Sequence, residues 1–441
     1  PSSRLADHAC AAPSAPTVSG EVRDYPELRV VLMRRRGDYA GGGELWPAAT
    51  RRGKRVLRAG EYVGTLRLGA EIVTILPKID FGGDATQSAM RNLLYMLEQA
   101  GHLPQQYHAV APMLERGDDW FEVLTRLFAV ELHTQWTRGP HRRYQPHEDE
   151  LPALRGQWLV GRQLRRPARA HRFDVAYDEF TADNRLSRVL RYVVEQLWLR
   201  TRDGDSRRIL GELRGAMESV SLAAHLTAAD VPPGIIDRLS EHYRPLLNLA
   251  HLFLDEGSLE LRRGEMQSFA LVFNMNQLFE AFLIGFIKRR QADVLPPALR
   301  DCTLEAQTRS YARYLARSGA GQPSFRLRPD LALRRGDTFP LLVDAKYKRL
   351  TPQERQLGVS TSDFYQMFAY AHRYRAPQVV VIYPQAQESH RAHFTLVDHP
   401  ATITVATVDL HRDLRRREQQ QALARELNKL LSIEVSDGAT V

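Results

Sequence analysis

The sequence of 441 residues contains only two cysteines, Cys10 and Cys302, which lie far apart and match no metal-binding spacing. This scarcity excludes a disulfide scaffold, argues against a zinc finger and suits a reducing compartment, so a cytoplasmic location is expected. Long apolar runs are also absent: PLLNLAHLFL, around residues 245 to 254, is too short and too interrupted to span a bilayer. The chain also lacks GxxxxGK[ST], so it carries no P-loop nucleotide site of its own.

The composition is that of an ordinary globular protein, with 43% hydrophobic and 26% charged residues. The length predicts several domains. Lysine and arginine total 61 against 52 aspartates and glutamates, which gives a formal net charge of +9. This excess of positive charge favours a polyanionic partner but does not prove one.

Hydrophobic patterning divides the chain into five segments and predicts a multidomain α+β fold. Residues 1–25 lack both a starting methionine and the apolar core of a signal peptide, which suggests a flexible or trimmed leader. Short strands such as LRVVLM, EYVGTLRL and EIVTILPKI, separated by glycine-rich turns, predict a β-rich module over 26–85. Apolar spacings of three and four residues predict a helical middle region over 86–270. Mixed patterns predict an α/β domain with a mixed sheet flanked by helices over 271–415, and then a charged C-terminal helix or tail over 416–441.

The β-rich module carries a strongly basic segment. Charge runs are most often solvated loop surfaces, but contact with a partner or with DNA is the alternative, and the sequence leaves both open. The residues concerned are Arg34, Arg35, Arg36, Arg51, Arg52, Lys54, Arg55 and Arg58.

One stretch, FRLRPDLALRRGDTFPLLVDAKYKRL, combines strand-like alternation with acidic and basic residues. Alternation places Asp330 on the less hydrophobic face of the first strand, and it places Asp344, Lys346 and Lys348 together on one face of the second. The turn-forming run RRGDT lies midway between Asp330 and Asp344. A hairpin about this turn would therefore bring the two aspartates together.

Two adjacent carboxylates repel each other, and a bound cation is the natural compensation unless one carboxylate is protonated. Oxygen ligands without histidine or thiolate favour Mg²⁺ or Mn²⁺ over zinc. Lys346 on the same face could stabilise charge on a phosphate or orient an attacking water. This combination is typical of phosphodiester hydrolysis. The alternative is that Asp330, Asp344 and Lys346 form an exposed ion-pair patch on a sheet.

Two helices flank this stretch and supply further candidates. In NMNQLFEAFLIGFIKRR, Glu280 borders an apolar stripe and is either a third carboxylate for the metal or a solvated helix charge. In the second helix, opened by capping candidates in STSD, Gln366 and Tyr370 are four residues apart and share a face. These two side chains either reach the site or make ordinary buried hydrogen bonds.

The motifs RPD, DAKYK and QMFAY together resemble the PD-(D/E)xK nuclease pattern with the QxxxY extension of RecB-like nucleases. More specifically, the chain resembles the McrC family, the nuclease subunits of McrBC-type modification-dependent restriction systems. The resemblance covers most of residues 60–410 and rests on EYVGTLRLGAEIVTILPKID, YDEFTADNRLSRVL, FNMNQLFEAFL and LRPDLAL with LLVDAKYK. Within DEFTADN, Asp183 or Asn184 is expected to cap the helix that follows.

The resemblance implies that residues 271–415 form a PD-(D/E)xK nuclease domain that cuts double-stranded, modified DNA with Mg²⁺. Mn²⁺ is the expected substitute for Mg²⁺. The residues that the resemblance assigns are Asp330, Asp344, Glu280 and the Ala345 carbonyl as metal ligands, Lys346 as the residue that assists the water, and Gln366 and Tyr370 as orienting residues.

The resemblance also implies a partner. Subunits of this family are expected to cut DNA only when assembled with McrB, an AAA+ hexamer that hydrolyses GTP and usually carries the recognition domain for modified cytosine. GTP would then be bound by the partner, and the N-terminal portion of this chain would engage the ring and stimulate its GTPase. Two alternatives are a non-catalytic AAA+ activator that keeps a nuclease fold as a DNA clamp, and a nuclease that acts without a partner.

Overall fold

A computed structural model describes residues 48–51, 54–57, 61–68, 71–75, 77, 85–103, 110–116, 120–169, 171–257, 268–307, 311–351, 353–386 and 388–432. In chain order the strands are β1 (Ala48–Arg51), β2 (Lys54–Leu57), β3 (Tyr62–Leu68), β4 (Glu71–Ile75), β5 (Arg143–Leu151), β6 (Gln157–Trp158), β7 (Phe173–Thr181), β8 (Ser268–Asn274), β9 (Thr303–Ala306), β10 (Arg313–Arg317), β11 (Pro323–Leu327), β12 (Leu331–Arg335), β13 (Thr338–Ala345), β14 (Gln378–Pro384), β15 (Arg391–Thr395) and β16 (Thr402–Val408). The α-helices are α1 (Ala85–Gln99), α2 (Ala111–Arg116), α3 (Trp120–Arg138), α4 (Val160–Gln163), α5 (Arg185–Arg200), α6 (Gly204–Ala216), α7 (Arg244–Gly257), α8 (Met275–Arg289), α9 (Gln291–Val294), α10 (Thr361–Tyr374) and α11 (Arg417–Leu431).

The described residues form two compact units. The first takes in those of Pro1–Leu103, Leu114–Gly117 and Leu261–Val441, and the second takes in those of Pro104–Met113 and Asp118–Glu260. These units differ from the division predicted by patterning, because the first unit joins strands from the predicted β-rich module to the predicted C-terminal domain.

A three-stranded sheet makes this connection. β3 pairs antiparallel with β4 on one side and with β8 on the other, so that Val63 lies opposite Phe273. The boundary placed between residues 270 and 271 falls inside β8. The hydrophobic pattern could not predict the pairing of β3 with β8. A strand shows the same local alternation of side chains whether its partner strand is near in the sequence or distant.

The basic segment of the N-terminal region is described only in part. Arg51, Lys54 and Arg55 lie in the antiparallel hairpin of β1 and β2. The leader over 1–25 and the strand expected at LRVVLM lie outside the described residues, so both stay predictions. The same is true of Arg34, Arg35, Arg36, Arg52 and Arg58.

A six-stranded mixed sheet in the first unit has the order β15-β16-β14-β13-β12-β9. β13, β14 and β16 run parallel, whereas β9, β12 and β15 pair antiparallel with their neighbours. β14 is buried at every position and β16 at almost every one, as expected for parallel strands covered on both faces. The predicted mixed sheet with flanking helices is therefore confirmed.

Helices cover this sheet. α10 packs Met367, Tyr370 and Tyr374 into a core with strand residues such as Leu342, which follows from apolar residues at helical spacing. Ser360 caps α10 by accepting a hydrogen bond from the backbone N–H of Asp363 (3.2 Å), so the cap predicted in STSD is confirmed. α8 packs against β13, and α11 packs against β16.

The second unit is helical except for a three-stranded antiparallel sheet in the order β5-β7-β6. The sequence pattern, which predicted a helical middle region, did not identify these three strands. Asn184 caps α5 by accepting from the backbone N–H of Ser187 (3.1 Å), whereas Asp183 instead accepts hydrogen bonds from Arg188 and Ser221. Within the residues that the structure describes, no helix is both long enough and apolar enough to cross a membrane.

Candidate functional site

The predicted hairpin is formed by β12 and β13. Leu331 lies opposite Val343, so the same register places Asp330, just before β12, opposite Asp344. Gly336 occupies the turn with a φ of 58°, a left-handed conformation that favours glycine. The hairpin thus brings the two aspartates to the same end of adjacent strands.

The strand that precedes the turn is shorter than expected. The sequence predicts a single strand over FRLRPDLAL, but the structure divides it into two. The first part belongs to β11, which forms a separate two-stranded sheet with β10, and the second part is β12. The break falls at Arg328–Asp330, where Pro329 has no backbone N–H to donate to a sheet. Asp330 therefore lies in the connection between two sheets, where a side chain is not confined to one face of a strand.

The face of β13 that carries Asp344 is buried. Asp344 is only 1% exposed and shares a strand face with Leu342, which α10 covers through Met367 and Tyr370. Both faces of β13 are buried because helices cover the sheet. An exposed ion-pair patch is excluded for the same reason.

Burial controls the charge on Asp330. Its Oδ2 accepts a hydrogen bond from the backbone N–H of Ala345 (2.7 Å). Burial, followed by the charges of Asp344 and Glu280, raises the pKa of Asp330 to about 9. A neutral, protonated Asp330 is therefore favoured at pH 7 unless a cation compensates the negative charge.

Asp344 lies against the lysine of the predicted motif. Lys346 Nζ is 2.8 Å from Asp344 Oδ2 and forms an ion pair with it. Burial raises the pKa of Asp344, although the Lys346 charge opposes that shift.

A chain of hydrogen bonds holds Lys346 in place. Lys346 Nζ donates to Gln366 Oε1 (3.1 Å), and Gln366 Nε2 donates to the hydroxyl of Tyr370 (2.7 Å). The Tyr370 hydroxyl donates in turn to the carbonyl of Arg328 (2.9 Å), in the connection that leads to Asp330. Burial raises the pKa of Tyr370, so this hydroxyl remains protonated and can donate. Burial lowers the pKa of Lys346, but the charge and hydrogen bond of Asp344 together with the charges of Asp330 and Asp363 outweigh it, and the net pKa is raised.

Glu280 is near enough to raise the pKa of both aspartates by its charge. Its Oε1 accepts a hydrogen bond from Gln307 Nε2 (3.1 Å), and the backbone N–H of Gln307 donates to the carbonyl of Asp330 (2.9 Å). Glu280 is half-buried, so it is not a freely solvated helix charge. Among the described residues, no three acidic, histidine or cysteine side chains converge closely enough to hold an ion as they stand.

The sequence did not identify two residues near the site, Asp363 and Gln307. Asp363 Oδ2 lies 2.8 Å from Lys348 Nζ, and the charge of Asp363 contributes to the raised pKa of Asp344. Asp363 is in STSD, which was interpreted only as a capping segment. Gln307 follows a short edge strand, and no motif marks it; only the long-range pairing of β9 with β12 brings it to the site.

The residues present fit a divalent cation. Asp344 offers a buried carboxylate oxygen that the Lys346 ammonium meets at 2.8 Å, and Asp330 stays protonated unless positive charge is added. All candidate donors are hard oxygens, which Mg²⁺ and Mn²⁺ prefer. Among the described residues the three carboxylates do not meet at one point as they stand: Asp344 pairs with Lys346, and Glu280 accepts from Gln307.

The chain matches a family model described as "McrBC 5-methylcytosine restriction system component" over residues 57–384. A solved structure described as "Refined half-complex from tetradecameric assembly of Thermococcus gammatolerans McrB AAA+ hexamers with bound McrC" is similar in fold. Its TM-score is 0.60 at 24% identity, over 87% of this chain and 85% of that chain. A second, described as "Cryo-EM structure of the Thermococcus gammatolerans McrBC complex", has a TM-score of 0.43 at 29% identity, over 53% of this chain and 68% of that chain.

No curated protein matches the chain. The family model, however, spans well over half of the sequence and includes both aspartates of the hairpin, so it confirms the resemblance carried by the motifs. The chain belongs to the family of McrBC 5-methylcytosine restriction system components.

Proposed function

We propose that this chain is the DNA endonuclease subunit of an McrBC-type restriction system and hydrolyses phosphodiester bonds with Mg²⁺. The observation that carries the proposal is the buried Asp344 opposite the half-buried Asp330, with Lys346 beside them. A structural ion pair requires one carboxylate, and a second buried carboxylate with a pKa raised to about 9 is an unfavourable addition for stability alone. Perturbed acids of this kind are concentrated at functional sites.

Asp330, Asp344 and Glu280, with the carbonyl of Ala345, would hold the cation, and Mn²⁺ would substitute for Mg²⁺. When bound, the cation lowers the pKa of a coordinated water and neutralises charge on the phosphate. The hydrogen bond from the N–H of Ala345 orients the carboxyl of Asp330, and Lys346 keeps the buried carboxylate of Asp344 paired until then.

Lys346 supplies the fixed positive charge of the site. Its raised pKa keeps the ammonium protonated at neutral pH, so it can stabilise negative charge on a phosphate or orient an attacking water. Gln366 accepts from this ammonium and is itself held by Tyr370, which limits the rotamers of the long lysine side chain. Preorganised charge of this kind avoids rearrangement during the reaction.

The proposed partner is a GTP-hydrolysing AAA+ ring of the McrB type. The chain has no P-loop motif, so nucleotide-driven motion would have to come from another chain. The similar fold from Thermococcus gammatolerans is described in an assembly of McrB AAA+ hexamers with bound McrC, and the family description names 5-methylcytosine. These descriptions support an AAA+ partner and 5-methylcytosine as the modification. Cutting of the modified DNA and stimulation of the partner's GTPase by this chain are the remaining parts of the proposal.

The first test replaces Lys346 with alanine. We expect cleavage of 5-methylcytosine DNA, assayed with the cognate AAA+ partner, GTP and Mg²⁺, to fall about 100-fold or more, because a charge-stabilising group is lost. Lys288→Ala is the matched control, since Lys288 is exposed at the end of α8. Full cleavage by Lys346→Ala would refute the assignment.

The second test separates the enzyme from a non-catalytic activator. Asp344→Ala should abolish cleavage while the partner's GTPase, measured in the same reaction, remains stimulated. Retained stimulation shows that the variant folds and assembles. Unchanged cleavage with retained stimulation would instead support an activator that keeps the fold as a DNA clamp.

A further inference from the structure

A two-stranded ribbon precedes the candidate site and does not belong to the six-stranded sheet. β10 and β11 pair antiparallel from Arg313, opposite Leu327, to Arg317, opposite Pro323. Gly321 forms part of the turn between them, with a φ of 78°. Most residues of both strands are exposed, so core packing does not account for the ribbon.

The ribbon is fixed to the helix that carries the glutamine of the candidate site. From α10, Arg373 Nε donates to the carbonyl of Tyr314 (2.8 Å) in β10, and Tyr370 donates to the carbonyl of Arg328 (2.9 Å) just after β11. Asp330 follows two residues later, within about 7 Å along an extended chain. The ribbon therefore lies beside the candidate site in a defined position.

The segment that contains the ribbon is rich in positive charge. Residues 306–329 contain five arginines and no aspartate or glutamate. Within the described residues, neither Arg313 nor Arg317 forms an ion pair, and Arg317 donates to the backbone carbonyl of Gly321 (3.1 Å). In the second unit, by contrast, Arg162 pairs with a glutamate at 2.9 Å. Unpaired exposed guanidinium groups are available to an anionic partner.

Apolar side chains lie between these charges. Strand alternation places Leu315 on the same face as Arg313 and Arg317, and Leu315 is 53% exposed. Phe325 lies between the paired positions Ser324 and Arg326 of β11 and is 75% exposed, with a φ of 58° that is unfavourable for an aromatic residue. Strained positions of this kind concentrate at functional surfaces. A groove of about 430 Å³ runs along the ribbon between these arginines and Arg373.

We propose that the β10–β11 ribbon enters the major groove of duplex DNA beside the cleavage site, with Arg313 and Arg317 on phosphates and Leu315 and Phe325 against apolar edges. This inference rests on the proposed endonuclease function. A two-stranded β-ribbon fits the major groove, which is about 12 Å wide. Four residues of a strand separate the two arginines by about 13 Å, so they can reach phosphates on either side of such a groove. The unbalanced charge selects a polyanion as the occupant.

The test is DNA binding by the full chain in EDTA, where cleavage does not occur. Arg313→Gln/Arg317→Gln is compared with Arg417→Gln/Arg425→Gln, a matched double variant of two exposed arginines on α11. Affinity for a short fluorescent duplex is measured by anisotropy over a range of salt concentrations. Each lost phosphate contact should lower the slope of log K against log salt by about 0.9.

We expect the ribbon variant to bind about tenfold or more weakly, equally with and without 5-methylcytosine, and to lose about 2 from the salt slope. The control should bind like the wild type. Equal affinity and slope in the two double variants would overturn the inference, and so would retained DNA affinity with lost stimulation of the partner's GTPase, which would mark a protein-docking surface. DNA binding in EDTA does not require the carboxylates to act in catalysis. An Asp344→Ala variant that still cuts DNA would therefore refute the nuclease assignment, but it would leave the comparison of DNA binding between the two double variants unchanged.

Discussion

The raised pKa of Asp330 predicts how the divalent-free protein responds to pH. The folded chain binds a proton at Asp330 with a pKa of about 9, whereas the usual value is 3.8. An acid whose pKa is raised by folding binds its proton more tightly in the folded state, so the stability it confers is present at low pH. That stability is lost as the pH rises from 3.8 towards 9.

One proton taken up on folding changes the free energy of unfolding by about 1.4 kcal/mol per pH unit. The change is large compared with a total stability of about 5–15 kcal/mol. In Asp330→Asn the amide oxygen can still accept from the N–H of Ala345, but the titrating proton is removed. The equilibrium constant for opening of the wild type, divided by that of the variant, should therefore rise about tenfold for each pH unit between about 5 and 8.

Hydrogen–deuterium exchange of peptides from β13 is the suitable assay, because it reports local opening of the hairpin itself. Tryptophan fluorescence would not serve, since the tryptophans among the described residues lie in the second unit: Trp120, Trp136, Trp158 and Trp198. Comparing wild type and variant at the same pH cancels the intrinsic exchange rates. Asp337→Asn, in the exposed turn of the same hairpin, is the matched control.

Added Mn²⁺ should protect the wild type at pH 8 more than it protects Asp330→Asn, because a cation replaces the missing proton. A ratio of wild-type to variant protection that stays constant from pH 5 to 8 in EDTA would refute this account of the carboxylate pair.

Two further changes test the supports of the site. Gln366→Leu removes the acceptor that positions the Lys346 ammonium. We expect kcat for DNA cleavage to fall about tenfold, with KM nearly unchanged. Gln366→Glu, which keeps an acceptor, should retain part of the activity. Gly285→Ala would place a Cβ in steric conflict with the backbone carbonyl oxygen of Gln99, so α1 and α8 would have to separate at a cost of about 1–3 kcal/mol, measured by exchange of α8 peptides. Gly319→Ala, in an open turn, is the control and should change stability by less than about 0.5 kcal/mol.

The hairpin and the helix caps could be predicted because they depend on residues close together in the chain. The turn at Gly336 sets the register of β12 and β13, and Ser360 and Asn184 each cap the helix that directly follows. The burial of Asp344 could not be predicted in this way. Alternation in a strand shows which side chains share a face, but whether that face is open depends on α10, which begins 16 residues after β13 ends.

The missed strands have a different physical reason. β5 reads RYQPHEDEL and has polar residues on both faces, so it shows neither the alternation of a half-buried strand nor the period of a helix. Its pairing with β7 depends on backbone hydrogen bonds and on contacts such as the rings of Tyr144 and Phe180, whose centroids are 4.9 Å apart. The partner of Glu280, Gln307, was missed because the contact joins segments that no local pattern relates.

The pairing of β3 with β8 has a consequence for synthesis of the chain. The segment between these strands contains the whole second unit, and it must leave the ribosome before β8 can reach β3. At about 5–20 residues per second, β3 waits roughly 10–40 s with one edge unpaired. During that interval the edge is open to pairing with other nascent chains, so slower elongation through the second unit should increase aggregation of the newly made protein.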